Sequence, residues 1–110
     1  YGGTGAKTAA AARTNLGIAA TSLYNGTHTS GSITFNYGNY NFYVIIGRPS
    51  STASRTSLVV PRILLTTSAV SFQIADESNY KAFNLSYSGS TVTLAMGNGA
   101  GQINRVFGIN

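Results

Sequence analysis

From about residue 23 onward, apolar residues recur at every second position in short runs, and most runs stop at a turn-forming pair. Ile33 and Phe35 alternate with Ser32, Thr34 and Asn36. Phe72 and Ile74 alternate with Ser71, Gln73 and Ala75. Phe83, Leu85 and Tyr87 alternate with Ala82, Asn84 and Ser86, and Val92, Leu94 and Met96 alternate with Thr91, Thr93 and Ala95. A period of two sends successive side chains to opposite faces of a pleated strand, so each run predicts a strand with one face buried and one in water. The breaks fall at Asn25-Gly26, Gly38-Asn39, Ser78-Asn79, Ser88-Gly89 and Asn98-Gly99, residue types that tolerate the backbone of tight turns. The clearest hairpin is YSGST at 87–91. About seven or eight short strands at this spacing predict a mainly β chain folded as an antiparallel β-sandwich.

Three segments depart from simple alternation. The stretch 40–46 becomes apolar on both faces in its second half (Tyr43, Val44, Ile45, Ile46), as expected of a central strand or of one covered by a neighbouring subunit. Residues 57–66 read as a strand broken or bulged at Pro61, which cannot donate to a central ladder. Residues 103–110 read as a terminal strand. Before the β pattern begins, 7–16 (KTAAAARTNL) predict a short helix, with Thr4 as a candidate N-cap and Gly17 where a C-terminal glycine belongs. So short a helix is marginal alone, and its smooth alanine face invites packing against copies of itself or the β domain. The expected organisation is a Gly/Ala-rich neck over 1–22 and a sandwich over 23–110.

The 110 residues suffice for one core. The chain does not start with Met and opens on no signal-like pattern, so it is expected to be a piece of a longer protein. It contains no cysteine, which removes disulfides and thiolate chemistry and leaves oligomerisation as the usual support for a small β domain. Charged residues are only 8% of the chain. The net charge of +5 comes from cations scattered along it, without the clustering a nucleic-acid site wants. The longest apolar run, interrupted by Pro61 and Arg62, is too short to span a bilayer as a helix. Ser, Thr and Asn make up 36 of the 110 residues, an uncharged polar surface of the kind adaptable binding faces use.

Catalytic patterns are poor. GGTGAKT at 2–8 has Ala6 where a phosphate loop needs Gly before its lysine, Tyr1 where the first Gly belongs, and no preceding strand. His28 is the only histidine, placed in a polar loop over 25–32, and no spacing joins it to Asp76 and a serine. Asp76 and Glu77, the only acids, are adjacent and best read as solvated turn residues, unsuited to paired-carboxylate catalysis. No enzyme activity, metal or cofactor is therefore expected. The aromatic cluster over 35–43 is more informative. Phe35 and Phe42 are expected in the core. Tyr37 and Tyr40, flanking a Gly-Asn turn, are expected to be exposed beside Asn36 and Asn39, a combination suited to sugars or a protein surface. The longest polar loop, 47–55, carries Arg48 and Arg55, which could recognise phosphate or carboxylate groups. Asn36, Tyr37, Asn39, Tyr40, Arg48 and Arg55 are the candidate receptor-binding residues.

The opening YGGTGAKTAAAARTNLG (1–17) closely resembles the GGTGA…AR-x-NLG segment that recurs before the C-terminal tip of tailed-bacteriophage tail fibre proteins, with Lys7 and Ala11 as departures. YNFYVIIG (40–47), SLVVP (57–61), YKAFNLSY (80–87) and INRVFGIN (103–110) resemble stretches of the tips that follow it. The resemblance implies a homotrimer, its protomers packed or intertwined, at the distal end of a virion's fibre. There it would attach the particle to a bacterial surface receptor: lipopolysaccharide or another glycan, teichoic acid, or an outer-membrane protein. It implies no particular binding residue, since the tips differ most in their loops. Some fibres bind iron through His-x-His repeats, but Thr27-His28-Thr29 has one histidine and no metal is carried over. The terminal Gly108-Ile109-Asn110 shows no sign of the self-cleaving chaperone that ends other fibres. The alternative function is a trimerisation and capping domain with receptor binding elsewhere. A polysaccharide depolymerase is a further alternative, against which the shortage of carboxylates argues.

Overall fold

The computed structural model describes residues 7–15, 20–97 and 101–110. Over them the chain forms one helix, α1 (Ala9–Asn15), and eight strands: β1 (Ala20–His28), β2 (Gly31–Asn36), β3 (Phe42–Arg48), β4 (Thr56–Pro61), β5 (Val70–Ala75), β6 (Tyr80–Ser88), β7 (Thr91–Met96) and β8 (Gln102–Ile109). All pairings are antiparallel, in two four-stranded sheets of order β1-β8-β3-β4 and β2-β7-β6-β5. The protein is thus a mainly β sandwich with one short helix, as the alternation predicts.

The period-two residues build the core. Phe35, Ile74, Phe83, Leu85, Val92, Leu94 and Met96 from the second sheet meet Tyr43, Ile45, Val60, Ile103 and Val106 from the first, all buried. The outer face of β2-β7-β6-β5 is polar: Ser32, Thr34, Asn36, Asn84, Ser71 and Gln73 alternate with the buried set and lie in water or close to it. The strand apolar on both faces, β3, is central, between β8 and β4.

Several local expectations are corrected. The first helical residue is Ala9, because Thr8 acts as the N-cap: its Oγ1 accepts from the Ala11 N–H at 3.1 Å and its carbonyl from Ala12 at 2.9 Å. Thr4 and Gly17, the expected caps, lie outside the described residues, as does the Asn98-Gly99 turn. Strand pairing starts at Ala20, opposite Ile109, three residues before the expected boundary. Asn25-Gly26 is not a turn but part of an irregularity inside β1, and His28 ends that strand, its Nε2 3.0 Å from the Gly31 carbonyl oxygen. Pro61 terminates β4 rather than interrupting it. Edge position makes its missing N–H harmless, and a 3-10 turn (Arg62–Leu64) follows. The 87–91 hairpin is as expected: Ser88 pairs with Thr91 across two residues, with Gly89 at φ +59°.

Candidate functional site

Antiparallel topology sorts the loops to two ends. One end carries the β2–β3 loop (37–41), the link from β4 to β5 (62–69), the β6–β7 hairpin, the start of β1 and the end of β8. The other carries the β1–β2 turn, the β3–β4 loop (49–55), the β5–β6 loop (76–79) and the β7–β8 connection. The six candidate residues divide between them. Asn36, Tyr37, Asn39 and Tyr40 lie at the first end, and Arg48 and Arg55 at the second. The length of β3 separates the groups, six residue steps or ~20 Å. They do not form one site.

At the tyrosine end the rings are committed to structure. Tyr37 stacks on Tyr87 with centroids 4.4 Å apart and planes at 6°, and the Arg62 guanidinium carbon lies over the Tyr37 ring, 3.9 Å from its centroid. Arg62 also donates to the Gly38 carbonyl, and Tyr43 donates its hydroxyl to the Tyr37 carbonyl. Burial pushes the Tyr43 phenol up to about 12, against the opposing pull of Arg62, with Tyr37 and Tyr40 adding to the rise. Tyr40 packs edge-on to Tyr43 and covers Gly108, where a β-carbon would come within 2.5 Å of its ring. Tyr37 and Tyr40 are therefore half-buried rather than exposed, because Tyr87, Arg62 and Gly108, distant in sequence, close over them. Phe42 corrects the expectation in the opposite sense. It points outward and is 42% exposed, beside Pro61 and Ile63 in a cleft of about 740 Å³.

At the opposite end Arg48 closes its own loop, its Nη1 3.4 Å from the Ser51 carbonyl oxygen. Arg55 is exposed and borders a cleft of about 410 Å³ with Ile46, Asn104 and Arg105. This cleft originates in the backbone. The β3–β8 register shifts by one residue at Asn104, since Ile46 faces Arg105 while Gly47 faces Ile103. The β1–β8 register also slips there, with Asn25 opposite Arg105 and His28 opposite Ile103. The double bulge turns Asn104 into the sheet, 5% exposed. Its Nδ2 donates to the Gly26 carbonyl (3.4 Å) and to Gln102 Oε1 (3.3 Å). Its Oδ1 is buried with no hydrogen-bond partner, as is the Nε of Arg105, whose guanidinium rests 4.5 Å from the Phe107 centroid. Buried polar atoms left unpaired cost about 1–3 kcal/mol each. Arg105 and Asn104 escaped the sequence reading, since only the bulge brings them to Arg55. Asp76 and Glu77 sit apart from this cleft in a loop where Asp76 Oδ1 accepts from the backbone N–H of Ser78 (3.0 Å) and Asn79 (2.7 Å). Those bonds hold the Asp76 carboxyl below its usual range.

Comparison with protein-family models, with characterised proteins and with solved structures finds no match to this chain.

Proposed function

We propose that this domain is the receptor-binding tip of a tailed-bacteriophage tail fibre, a non-catalytic homotrimer that attaches the virion to a bacterial surface by multivalent noncovalent contacts. The observation that carries the reading is the outer face of β1-β8-β3-β4. Where the other sheet shows Ser, Thr and Asn to water, this one presents Phe42, Val44, Val59, Pro61, Phe107 and Ile109, which the register places side by side. Val59 is 56% exposed, and Ile63, at 89%, extends the patch past the strand ends. The six side chains form two rows across β4, β3 and β8, roughly 200 Å² in projection, and contiguous exposed apolar surface of this kind is what an interface presents. Among the described residues the register brings two charges to this face, Arg48 at its far end and Arg105 against Phe107 at the border of the patch, so the rows of Phe42 and Val44 carry no charge into an interface. Three sandwiches turning this sheet toward a common axis would bury it.

Chain connectivity supports an orientation. Asn15 is joined to Ala20 by five residue steps, at most ~18 Å, so the neck helix is tied to the tyrosine end. The arginine end then faces away from the fibre shaft, and in a trimer its loops are presented three times, which multiplies weak contacts into avidity.

Sedimentation velocity at micromolar concentration should give three times the 11.4 kDa chain mass. Val44→Glu, which plants a charge in the apolar patch, should dissociate it. A wild-type monomer would overturn the trimer. Adsorption of the fluorescent chain to a panel of bacterial strains tests attachment. Assembly without adsorption to any strain would favour the capping role instead.

A further inference from the structure

We infer that the cleft at the Asn104 bulge is a binding site for an anionic saccharide, a sugar bearing a phosphate or carboxylate group. This inference rests on the receptor-binding reading and names the chemistry of the site. Two guanidinium groups, Arg55 from the β3–β4 loop and Arg105 from β8, border one cleft of about 410 Å³, within the range of small-ligand sites. Neither of the chain's two carboxylates lines it: Asp76 and Glu77 border a separate cleft with Ser54, Thr56 and Ser78. Within the cleft, therefore, no carboxylate stands beside the two guanidinium groups.

The geometry favours recognition over simple counter-ion binding. Arg105 rests against Phe107, its guanidinium carbon 4.5 Å from the ring centroid, which restrains its planar fork before any ligand arrives. Arg55 is exposed at the end of the β3–β4 loop and can close on an anion from above. Between them the wall is uncharged and mixed, with Asn25 and Thr27 beside the buried carboxamide of Asn104, whose oxygen has no hydrogen-bond partner, and Ile46 as its apolar member. Donors and acceptors of this kind match sugar hydroxyls, while the two arginines match an oxyanion. The slip in β1 and the bulge in β8 both fall here, and bulges gather where a strand must re-aim a side chain. The cleft lies on the same face as the apolar patch but past its apolar half, at the end farthest from the neck, so a trimer that joins the apolar halves must leave this end open.

The test is a titration of the intact chain, followed by amide chemical shifts, with four probes: glucose 6-phosphate, glucuronic acid, glucose and inorganic phosphate. The two anionic sugars should give saturable shifts at Gly26, Thr27, Asn104 and Arg105. Either should bind at least tenfold more tightly than glucose or inorganic phosphate, and a preference between them identifies the anion. Arg55→Gln, on an exposed loop, should weaken binding at least tenfold while leaving the rest of the spectrum unchanged. Arg105→Lys should do the same through loss of the fork. Equal binding of glucose and the anionic sugars, shifts located elsewhere, or inorganic phosphate binding as tightly as the sugar phosphate would each overturn the inference. Parallel cell adsorption separates the two claims. Arg55→Gln protein that adsorbs to cells like wild type overturns this cleft and leaves the fibre-tip reading standing. Wild-type protein that binds the sugars but adsorbs to no strain does the reverse.

Discussion

Replacing Tyr43 by phenylalanine removes one oxygen from the centre of the tyrosine cluster and changes almost nothing else. Tyr43 is fully buried, and its hydroxyl donates to the carbonyl of Tyr37, at the point where β2 turns toward β3. Phenylalanine keeps the ring, its edge-on contact with Tyr40 and its tilted contact with Phe35. What is lost is the hydrogen bond, and the partner carbonyl is left short of a donor, a change worth about 1–2 kcal/mol. At pH 8 that lowers the melting temperature by roughly 5–10 °C for a domain of this size. The same hydroxyl makes the difference pH-dependent. Burial raises its folded pKa to about 12, above the unfolded value near 10. The stability it contributes is therefore complete below pH 10 and declines as pH rises from 10 to 12, because the unfolded chain sheds this proton first. By pH 11 the wild type has lost ~1.4 kcal/mol that the variant, lacking the group, does not lose. Urea unfolding of both proteins at one concentration, from pH 7 to 11, should show a constant gap up to about pH 9.5 that nearly closes by pH 11. A gap that stays constant to pH 11 would mean Tyr43 ionises as easily folded as unfolded, and the reasoning from burial would be wrong.

Gly47→Ala should lower the urea midpoint by an amount corresponding to about 1–3 kcal/mol or more, since its β-carbon would lie 2.2 Å from the backbone oxygen of Gln102 and 2.8 Å from Ile74 Cδ1. Gly89→Ala should cost ~1–2 kcal/mol by forcing an L-residue to φ +59°, and Gly89→Asn should recover part of it; thermal melts of the pair check this. Asp76→Asn should flatten the acid limb of the stability profile. The carboxyl, held low chiefly by the Ser78 N–H and then by that of Asn79, contributes stability above pH 4 that fades as pH falls; melts from pH 2 to 6 read it.

The sandwich was legible because its evidence is local. Each alternating run stands in one strand, and Ile33/Phe35 or Val92/Leu94/Met96 need no partner to declare which face is buried. The strand apolar on both faces was legible too, and the structure makes it central. What local reading could not see is pairing. Phe42 was expected inside because it continues an aromatic alternation, but its register partner is Pro61, on the outer face, while Tyr43 takes the interior. Tyr37 and Tyr40 read as exposed because a Gly-Asn turn usually carries its flanks into solvent; Tyr87, Arg62 and Gly108 cover them from other strands. Asn25-Gly26 read as a turn, yet pairing with β8 holds it as a strand irregularity. The Asn104 bulge has no composition signal at all. It exists only as a mismatch between three strands.

On the proposed reading the two ends of the sandwich divide labour for a physical reason. A ring stacked on a second ring, capped by a guanidinium and bonded through a neighbour's hydroxyl has little freedom left to remodel around a ligand, and moving Tyr37 would disturb β2, the 3-10 turn and β6 together. On that reading this end faces the shaft, since α1 is joined to β1 here, and its rigidity would transmit load. The other end keeps polar atoms without partners, an arginine on a long loop and a backbone irregularity that lets Ile103 and Val106, three residues apart, both face the core. If the tyrosine end were the binding surface, Tyr37→Leu would impair cell adsorption at temperatures where the fold is intact. On the present reading it lowers the melting temperature, through loss of the Tyr87 stack and the Arg62 contact, and leaves adsorption of the folded protein unchanged. Substitutions at Arg55 should show the opposite pattern, weakening adsorption at unchanged stability.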